Sequence, residues 1–525
     1  MLKRILVALA IACSAIAPAF AQSGAKVLRV VPYADLQSLD PIVTTVGIVQ
    51  SHALLIYDFL FGRDENQIPQ PQMVERWTTS ADGLVWTFTL RDGLAFHDGA
   101  PVTAEDVVAS LKRWGARDAY GRQAFALTAS LEALDAKTLR WSFTRPYGLL
   151  LEGLSKSGGP VPAIMPRRIA ETDPAKPITE AIGSGPFIFV RDQWIVGSKV
   201  VYRRNDRYVP RAEPASGTAG GKRAKVDRVE WHNIRDPQTA MSALVNDEVD
   251  YLENPGSDFL PILRGAGFAI VRTNRLGTQG ILRMNHLHPP FNDLRARQAL
   301  IHLVAQEDYL RTMFGDADIW RVCWAYFVCG GPNESAAGVQ PGFGKDPARA
   351  KQLLAEAGYK GEPIIILHPT DVQFMSAATQ LLAQRLRAIG VTVQLQQMDF
   401  AAMAARRANR NPPDQGGWHI GMSYWPGLNI ADPVGNVPMQ ASCERAWPGW
   451  PCDRELQAMI DRYPETTDEA ARRNLVAEIQ QAAYGRVVPY VPIGQWFAPI
   501  AHSPKLKGVI GAPGAMVLWN IEKMD

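Results

Sequence analysis

One apolar run stands at the very start of the chain, and nothing like it recurs in the roughly 500 residues that follow. Met1-Leu2-Lys3-Arg4 is a short basic start, and Ile5 to Ala17 is nearly all apolar. Ala19-Phe20-Ala21 has the small-x-small form that a signal peptidase reads. The expectation is an export signal over residues 1–21, a mature chain from Gln22 and a periplasmic location. No second run of eighteen or more apolar residues follows, so no further membrane span is expected. A chain of 525 residues is too long for one core and must divide into two or three domains.

Composition narrows the class. Hydrophobic residues make up 47% and charged residues 20%, which is globular. The formal charge is +3, and loss of Lys3 and Arg4 would leave about +1. A nucleic-acid partner would want a clustered basic stripe, and none is expected. Of five cysteines, Cys13 lies in the signal. Read as a lipoprotein, the chain would begin at Cys13, but the leucine usual three positions upstream is absent, so lipid anchoring is not expected. Cys323/Cys329 and Cys443/Cys452 form two close pairs. An exported compartment permits two local disulfides, the favoured reading. Free thiols and zinc are the alternatives, and the spacings exceed the usual tight metal hooks.

Periodicity and turn signals order the elements. Val27 to Val31 reads as a strand, Val46 to Phe61 as a helix, and Leu84 to Leu90 as an alternating strand. Thr103 caps a helix with Asp106 as capping-box partner, and Val107, Val108, Leu111 and Trp114 form its buried stripe. Two short strands flank Asp135-Ala136-Lys137. Residues 210–225, rich in Pro, Gly, Ala and Lys, read as an exposed loop. A strand at 226–234, a helix at 237–244 and a strand at 250–252 complete a mixed α/β lobe. A second lobe starts near Gly280. Asp293 caps a helix through Ala305, and helices at 346–357 and 376–389 alternate with strands at 364–367 and 391–395. This order reads as a compact α/β unit. A helix at 465–484 and a strand at 487–493 follow.

The search for chemistry returns little. There is no nucleophile elbow, no His-Glu-x-x-His and no phosphate loop. His97-Asp98 is explained by the Asp98-Gly99 turn. His286 and His288 would face the same way on a strand, open to hinge packing, ligand contact or a metal. Aromatic residues on loops are more suggestive, because they wall pockets at low entropic cost. Tyr424-Trp425-Pro426-Gly427, Trp496 and Trp320 with Trp324 are the candidates, each weighed against ordinary packing.

Longer motifs are more specific. They are Tyr57-Asp58-Phe59-Leu60-Phe61, Met73-Val74-Glu75-Arg76-Trp77, Asp82 to Arg91, Phe96 to Val107, Gly183-Ser184-Gly185-Pro186-Phe187, and Pro289-Pro290-Phe291-Asn292-Asp293-Leu294-Arg295-Ala296-Arg297-Gln298-Ala299. With them, nearly all of the mature chain resembles the family 5 extracellular solute-binding proteins, the dipeptide/oligopeptide/nickel-binding components of bacterial ABC importers. The resemblance implies an α/β, two-lobed Venus-flytrap fold. Lobe I would take residues 22–282 in two subdomains, lobe II residues 283–493, and residues 494–525 would return to lobe I. It implies no enzymatic activity and no cofactor. Its expected partners are a peptide or other small organic solute and the transmembrane subunits of an ABC permease, and a monomer is expected.

Substrate expectations are set by departures from that pattern. Dipeptide binders of the family resemble Trp-x-Gly-Asp, whose Asp receives the peptide ammonium; this chain reads Trp425-Pro426-Gly427-Leu428. Their carboxylate-binding Arg has no counterpart in His368-Pro369-Thr370-Asp371-Val372-Gln373-Phe374. A free dipeptide would then bury two unpaired charges. The candidate ligand contacts are Tyr33, Trp320, His368, Asp371, Tyr424, Trp425, Leu428, Asn429 and Trp496. The solute expected is a peptide or peptide-like molecule. A non-peptide aromatic, apolar or cationic solute, the last held by Asp371 and tryptophan faces, is the alternative. A nickel chelate at His286/His288 and a chaperone-like or chemosensory role on the same fold complete the options.

Overall fold

A computed structural model describes residues 25–524. The export signal over residues 1–21 and Cys13 lie outside the described residues. Three sheets carry the architecture. A seven-stranded sheet runs Ala269–Val271, Ile500–His502, Tyr251–Glu253, Val27–Val31, Arg228–His232, Lys199–Arg204, Phe187–Phe189. A four-stranded antiparallel sheet, Val74–Thr79, Val85–Leu90, Thr138–Phe143, Thr128–Ala133, forms a second layer of the same lobe. The other lobe is built on six strands: Trp320–Arg321, Val491–Trp496, Thr278–Met284, Ile420–Pro426, Ile364–Pro369, Val393–Met398.

Each main sheet holds a parallel set, at the centre of the seven-stranded sheet and at one edge of the six-stranded one. Val27–Val31 runs parallel to both Arg228–His232 and Tyr251–Glu253. Ile364–Pro369 runs parallel to both Val393–Met398 and Ile420–Pro426. Buried on both faces, Ile364–Pro369 is a continuous run rather than an alternating one. Two segments, 272–277 and 497–499, connect the sheets. The crossings expected near 283 and 494 lie inside Thr278–Met284 and Val491–Trp496, because the second-lobe sheet claims both strands whole. Ile500–His502 pairs antiparallel with Tyr251–Glu253 and Ala269–Val271, which builds the end of the chain into the first-lobe sheet.

Local chemistry explains most element ends. Thr103 caps Ala104–Gly115 in a complete capping box with Asp106, and Val107, Leu111 and Trp114 are buried. Val108 is only half-buried. The first helix stops at Ile56, well short of Phe61. Tyr57 is extended there, and the segment after it delivers Asp58 to the interior. Gly183 lies against that helix end: a Cβ on it would sit 1.9 Å from the Ile56 carbonyl oxygen, so no other residue fits. The helix after Asp293 ends at Leu303, with Val304 and Ala305 extended before a second helix, Gln306–Phe314. Helix Glu469–Ala482 runs into a wide turn over Ala483–Val487, which delays the next strand to Val491–Trp496.

The loop at 210–225 is the clearest correction. Residues 217–222 are buried, and Lys222 is fully enclosed. Its ammonium lies 2.7 Å from Asp58 Oδ1 and over the rings of Phe59 and Trp519. Composition signalled a loop correctly, but the lysine is an interior counter-ion rather than a solvated charge. Both cysteine pairs are disulfides, Cys323–Cys329 and Cys443–Cys452, so none of the four is available to zinc. Among the described residues no helix is long and apolar enough to cross a membrane.

Candidate functional site

Parallel strands leave their carboxyl ends free, and in open α/β sheets that edge is where ligands bind. Tyr33 follows the carboxyl end of Val27–Val31, and Glu253 ends the neighbouring Tyr251–Glu253. On the other lobe Pro426 ends Ile420–Pro426 and leads into a tight turn, Gly427–Asn429. The two edges converge. A Cβ on Gly47 would lie 3.0 Å from Tyr33 Oη and 3.3 Å from the Gly514 carbonyl oxygen. Leu428 Cδ2 in turn would lie 3.1 Å from a Cβ on Gly514 and 2.6 Å from one on Gly158. Leu428 thus reaches from the second lobe into a glycine-lined notch of the first.

Tyr424 and Trp425 are neighbours in sequence but face opposite sides of their strand, as the two-residue period requires. Tyr424, 40% exposed, joins an aromatic group with Phe374 (5.4 Å between centroids) and Trp496 (6.4 Å). Trp496 also packs on Phe314 at 4.9 Å and is paired in register with Trp320. Trp425 meets Trp447 edge-on at 5.7 Å. With Leu428 it packs on a buried cluster of Leu276, Val328, Ile430 and Ala431. Asn429 is exposed on the same turn. Tyr33 is 48% exposed, and its hydroxyl accepts the Ile48 N–H at 3.2 Å.

Other candidates are held elsewhere. His368 is buried; Nδ1 lies 2.6 Å from Thr379 Oγ1 and Nε2 3.5 Å from Ser376 Oγ. Asp371 Oδ1 accepts the Phe400 N–H at 2.8 Å, a structural use of the carboxylate. Both stand at the carboxyl end of Ile364–Pro369, the strand parallel to Ile420–Pro426, and hold these contacts within their own lobe. His286 and His288 lie in a turn, not a strand, so they do not face the same way. His288 Nε2–H donates to the Arg410 carbonyl at 2.8 Å, while burial and the charges of Arg297 and Arg283 push the His286 pKa far down. His97 joins two of the sequence motifs. Its Nε2–H donates to the Gly185 carbonyl at 3.3 Å, its Nδ1 accepts the Gly183 N–H at 3.4 Å, and burial lowers its pKa to about 4.

Sequence reasoning missed three features. Tyr120 of the first lobe donates its hydroxyl to Asp432 of the second, whose Oδ1 accepts the Val434 and Gly435 N–H groups at 2.9 Å. Asp432 thus both shapes its own loop and clasps the other lobe. Nearby, Arg472 donates to the Gly148 carbonyl at 2.7 Å and pairs with Glu152 at 3.0 Å. A cavity of about 440 Å³ lies between these contacts, with Arg63, Trp86 and Glu152 on one wall and Asn333, Asp432 and Arg472 on the other. A hollow of about 460 Å³ beside helix Ala104–Gly115 belongs to the first lobe alone. The third feature is Glu253, whose Oε2 accepts the Tyr33 N–H at 3.0 Å and whose pKa burial pushes up to about 7. An acid at a strand end before Asn254-Pro255 was the one available signal.

Comparison with known proteins agrees with this architecture. The model of the bacterial extracellular solute-binding proteins, family 5, matches residues 69–447. A "Probable peptide ABC transporter periplasmic-binding protein" of Sinorhizobium fredii is 40% identical over 497 residues, covering 93% of this chain and 92% of that one. The glutathione-binding protein of Salmonella typhimurium is 24% identical over 502 residues, 93% of each chain. In fold, an ABC transporter substrate-binding protein of Listeria monocytogenes superposes with a TM-score of 0.79 at 20% identity, over 95% of this chain and all of that one. The chain belongs to the bacterial extracellular solute-binding proteins of family 5.

Proposed function

We propose that this protein is the substrate-binding component of an ABC importer, capturing a peptide or peptide-like organic solute in the periplasm and delivering it to the permease. The observation that carries this reading is the convergence of two parallel-strand edges, one from each lobe, on the notch around Leu428. A site assembled from two bodies joined by only two short segments, 272–277 and 497–499, exists in full only when they close. Ligand contacts then favour the closed form over the open one, which is the only energy the protein has to supply. The peptide class is supported by the Sinorhizobium and Salmonella relatives, one named for peptides and the other for glutathione. The candidate contacts on this reading are Tyr33, Trp425, Leu428 and Asn429 around the notch, with Tyr424, Trp496 and Trp320 along one face of the second-lobe sheet.

Leu428 shapes the selectivity. It adds apolar cross-lobe contact where a carboxylate would hold an ammonium, so a dipeptide gripped by charge at that position is disfavoured. Native mass spectrometry of protein purified without denaturation tests the reading. Co-purifying masses that fragment as short peptides are expected; a uniform non-peptide adduct would replace the peptide class with another solute.

A further inference from the structure

We infer that Glu253 is the acidic anchor of the cleft, taking the cationic amine of the solute in place of the acid that is absent at Leu428. The inference rests on the solute-receptor reading above and names the group that this site selects.

Placement comes first. Glu253 is the last residue of a parallel-paired strand, at the carboxyl edge of the first-lobe sheet, beside Tyr33. Asn254 follows with a left-handed φ of 53° and then Pro255, so the chain turns away sharply and leaves the side chain at the edge. The Tyr33 N–H fixes Oε2, while Oε1 takes no hydrogen bond from the described residues. Beside it the Tyr33 ring is half exposed, so an ammonium there would meet a carboxylate and an aromatic face together.

Glu253 differs from Glu230 in its counter-ions. These two are the only carboxylates on the strands of the seven-stranded sheet. Glu230 is balanced by Lys199 at 2.9 Å and Arg228 at 2.6 Å. Asp250, just before the strand, is balanced by Lys523 at 2.8 Å. Glu253 is half-buried and, like Asp35 beyond Tyr33, lies within ion-pair distance of no Lys, Arg or His among the described residues. Burial pushes its pKa up to about 7, the Tyr33 N–H is the one contact that opposes this, and no counter-ion stands beside the half-buried carboxylate. A cationic solute supplies one.

The experiment compares an equimolar pool of di- and tripeptides with the same pool N-acetylated, read by native mass spectrometry at pH 8 and quantified by calorimetry on the best-bound member. Wild type should retain free-amine peptides at least tenfold better than acetylated ones. Glu253→Gln, checked for folding by its melting temperature, should weaken free-amine binding roughly 30-fold or more and leave acetylated binding unchanged. Discrimination by wild type that persists in Glu253→Gln would place the amine elsewhere and overturn the assignment. Equal retention of both pools by wild type overturns it without any variant. Retention of neither pool removes the peptide reading and the anchor with it.

Discussion

Asp58 and Lys222 meet where neither touches solvent, and they set the scale of what single residues contribute. Tyr208 donates to the second Asp58 oxygen at 3.1 Å, so the carboxylate is satisfied on both sides. Removing Lys222 leaves the buried carboxylate only Arg91 at 3.8 Å as a cation, and breaking such a buried pair costs up to about 3–5 kcal/mol. Lys222→Met should therefore lower unfolding free energy by about that amount, and Lys222→Met with Asp58→Leu should recover most of it; chemical denaturation distinguishes the two. His52 adds a pH dependence. Burial holds its pKa at about 3, with Tyr202 Oη 2.9 Å from Nδ1. An unfolded histidine protonates near about 6.5. Between those values the unfolded chain binds the extra proton, so this contribution is complete above about 6.5 and falls by roughly 1.4 kcal/mol per pH unit below it. Denaturant midpoints at pH 7 and pH 5 should differ less in His52→Gln; an unchanged difference would assign the acid sensitivity to other groups. Residue-level legibility was uneven for a physical reason. Sequence shows that Lys222 and Glu253 are charged, but only the fold shows that one has a counter-ion and the other has none.

Elements were more legible, because their signals are local. The capping box at Thr103 and Asp106 and the paired strands about Asp135-Ala136-Lys137 follow from side chains within a few residues. Thr103→Ala should cost about 1 kcal/mol, measurable as a reduced denaturant midpoint. Element ends set by tertiary contact were not legible. Tyr57 leaves the helix to deliver Asp58 to Lys222, and the turn at Ala483–Val487 displaces the following strand. The disulfide loops belong to this scale too. Cys323–Cys329 closes a short loop whose Ala325 carbonyl accepts from Gln279 at 2.9 Å, beneath the strand that bears Trp425. Closing so small a loop restricts the unfolded chain by about 2–3 kcal/mol. A double Ser variant of this pair should lose about that much stability while remaining folded; no change in the denaturant midpoint would mean the bond constrains nothing.

At the scale of the molecule, two lobes are held together by few and mostly polar contacts. Tyr120–Asp432, Arg472 to Gly148 and Glu152, and the Gly148 N–H to Pro464 carbonyl bond at 2.7 Å join the lobes, as do Arg264 with Asp316 at 2.9 Å and Leu428 in its notch. Arg145–Glu465 is exposed and adds little. Such a seam opens at modest cost, which lets a solute decide the balance. Tyr120→Phe should weaken solute affinity roughly tenfold by loosening the closed form, with little effect on the stability of either lobe. The cleft itself was only partly legible. Family motifs gave two lobes, but nothing local tells which of Tyr424 and Trp425 faces which side, or that Asp432 finds Tyr120 more than 300 residues away. Small-angle X-ray scattering with and without a saturating pool of di- and tripeptides tests closure around a solute most directly. The radius of gyration and the maximum dimension should both shrink on addition, and superimposable curves from protein shown by native mass spectrometry to carry peptide would contradict it.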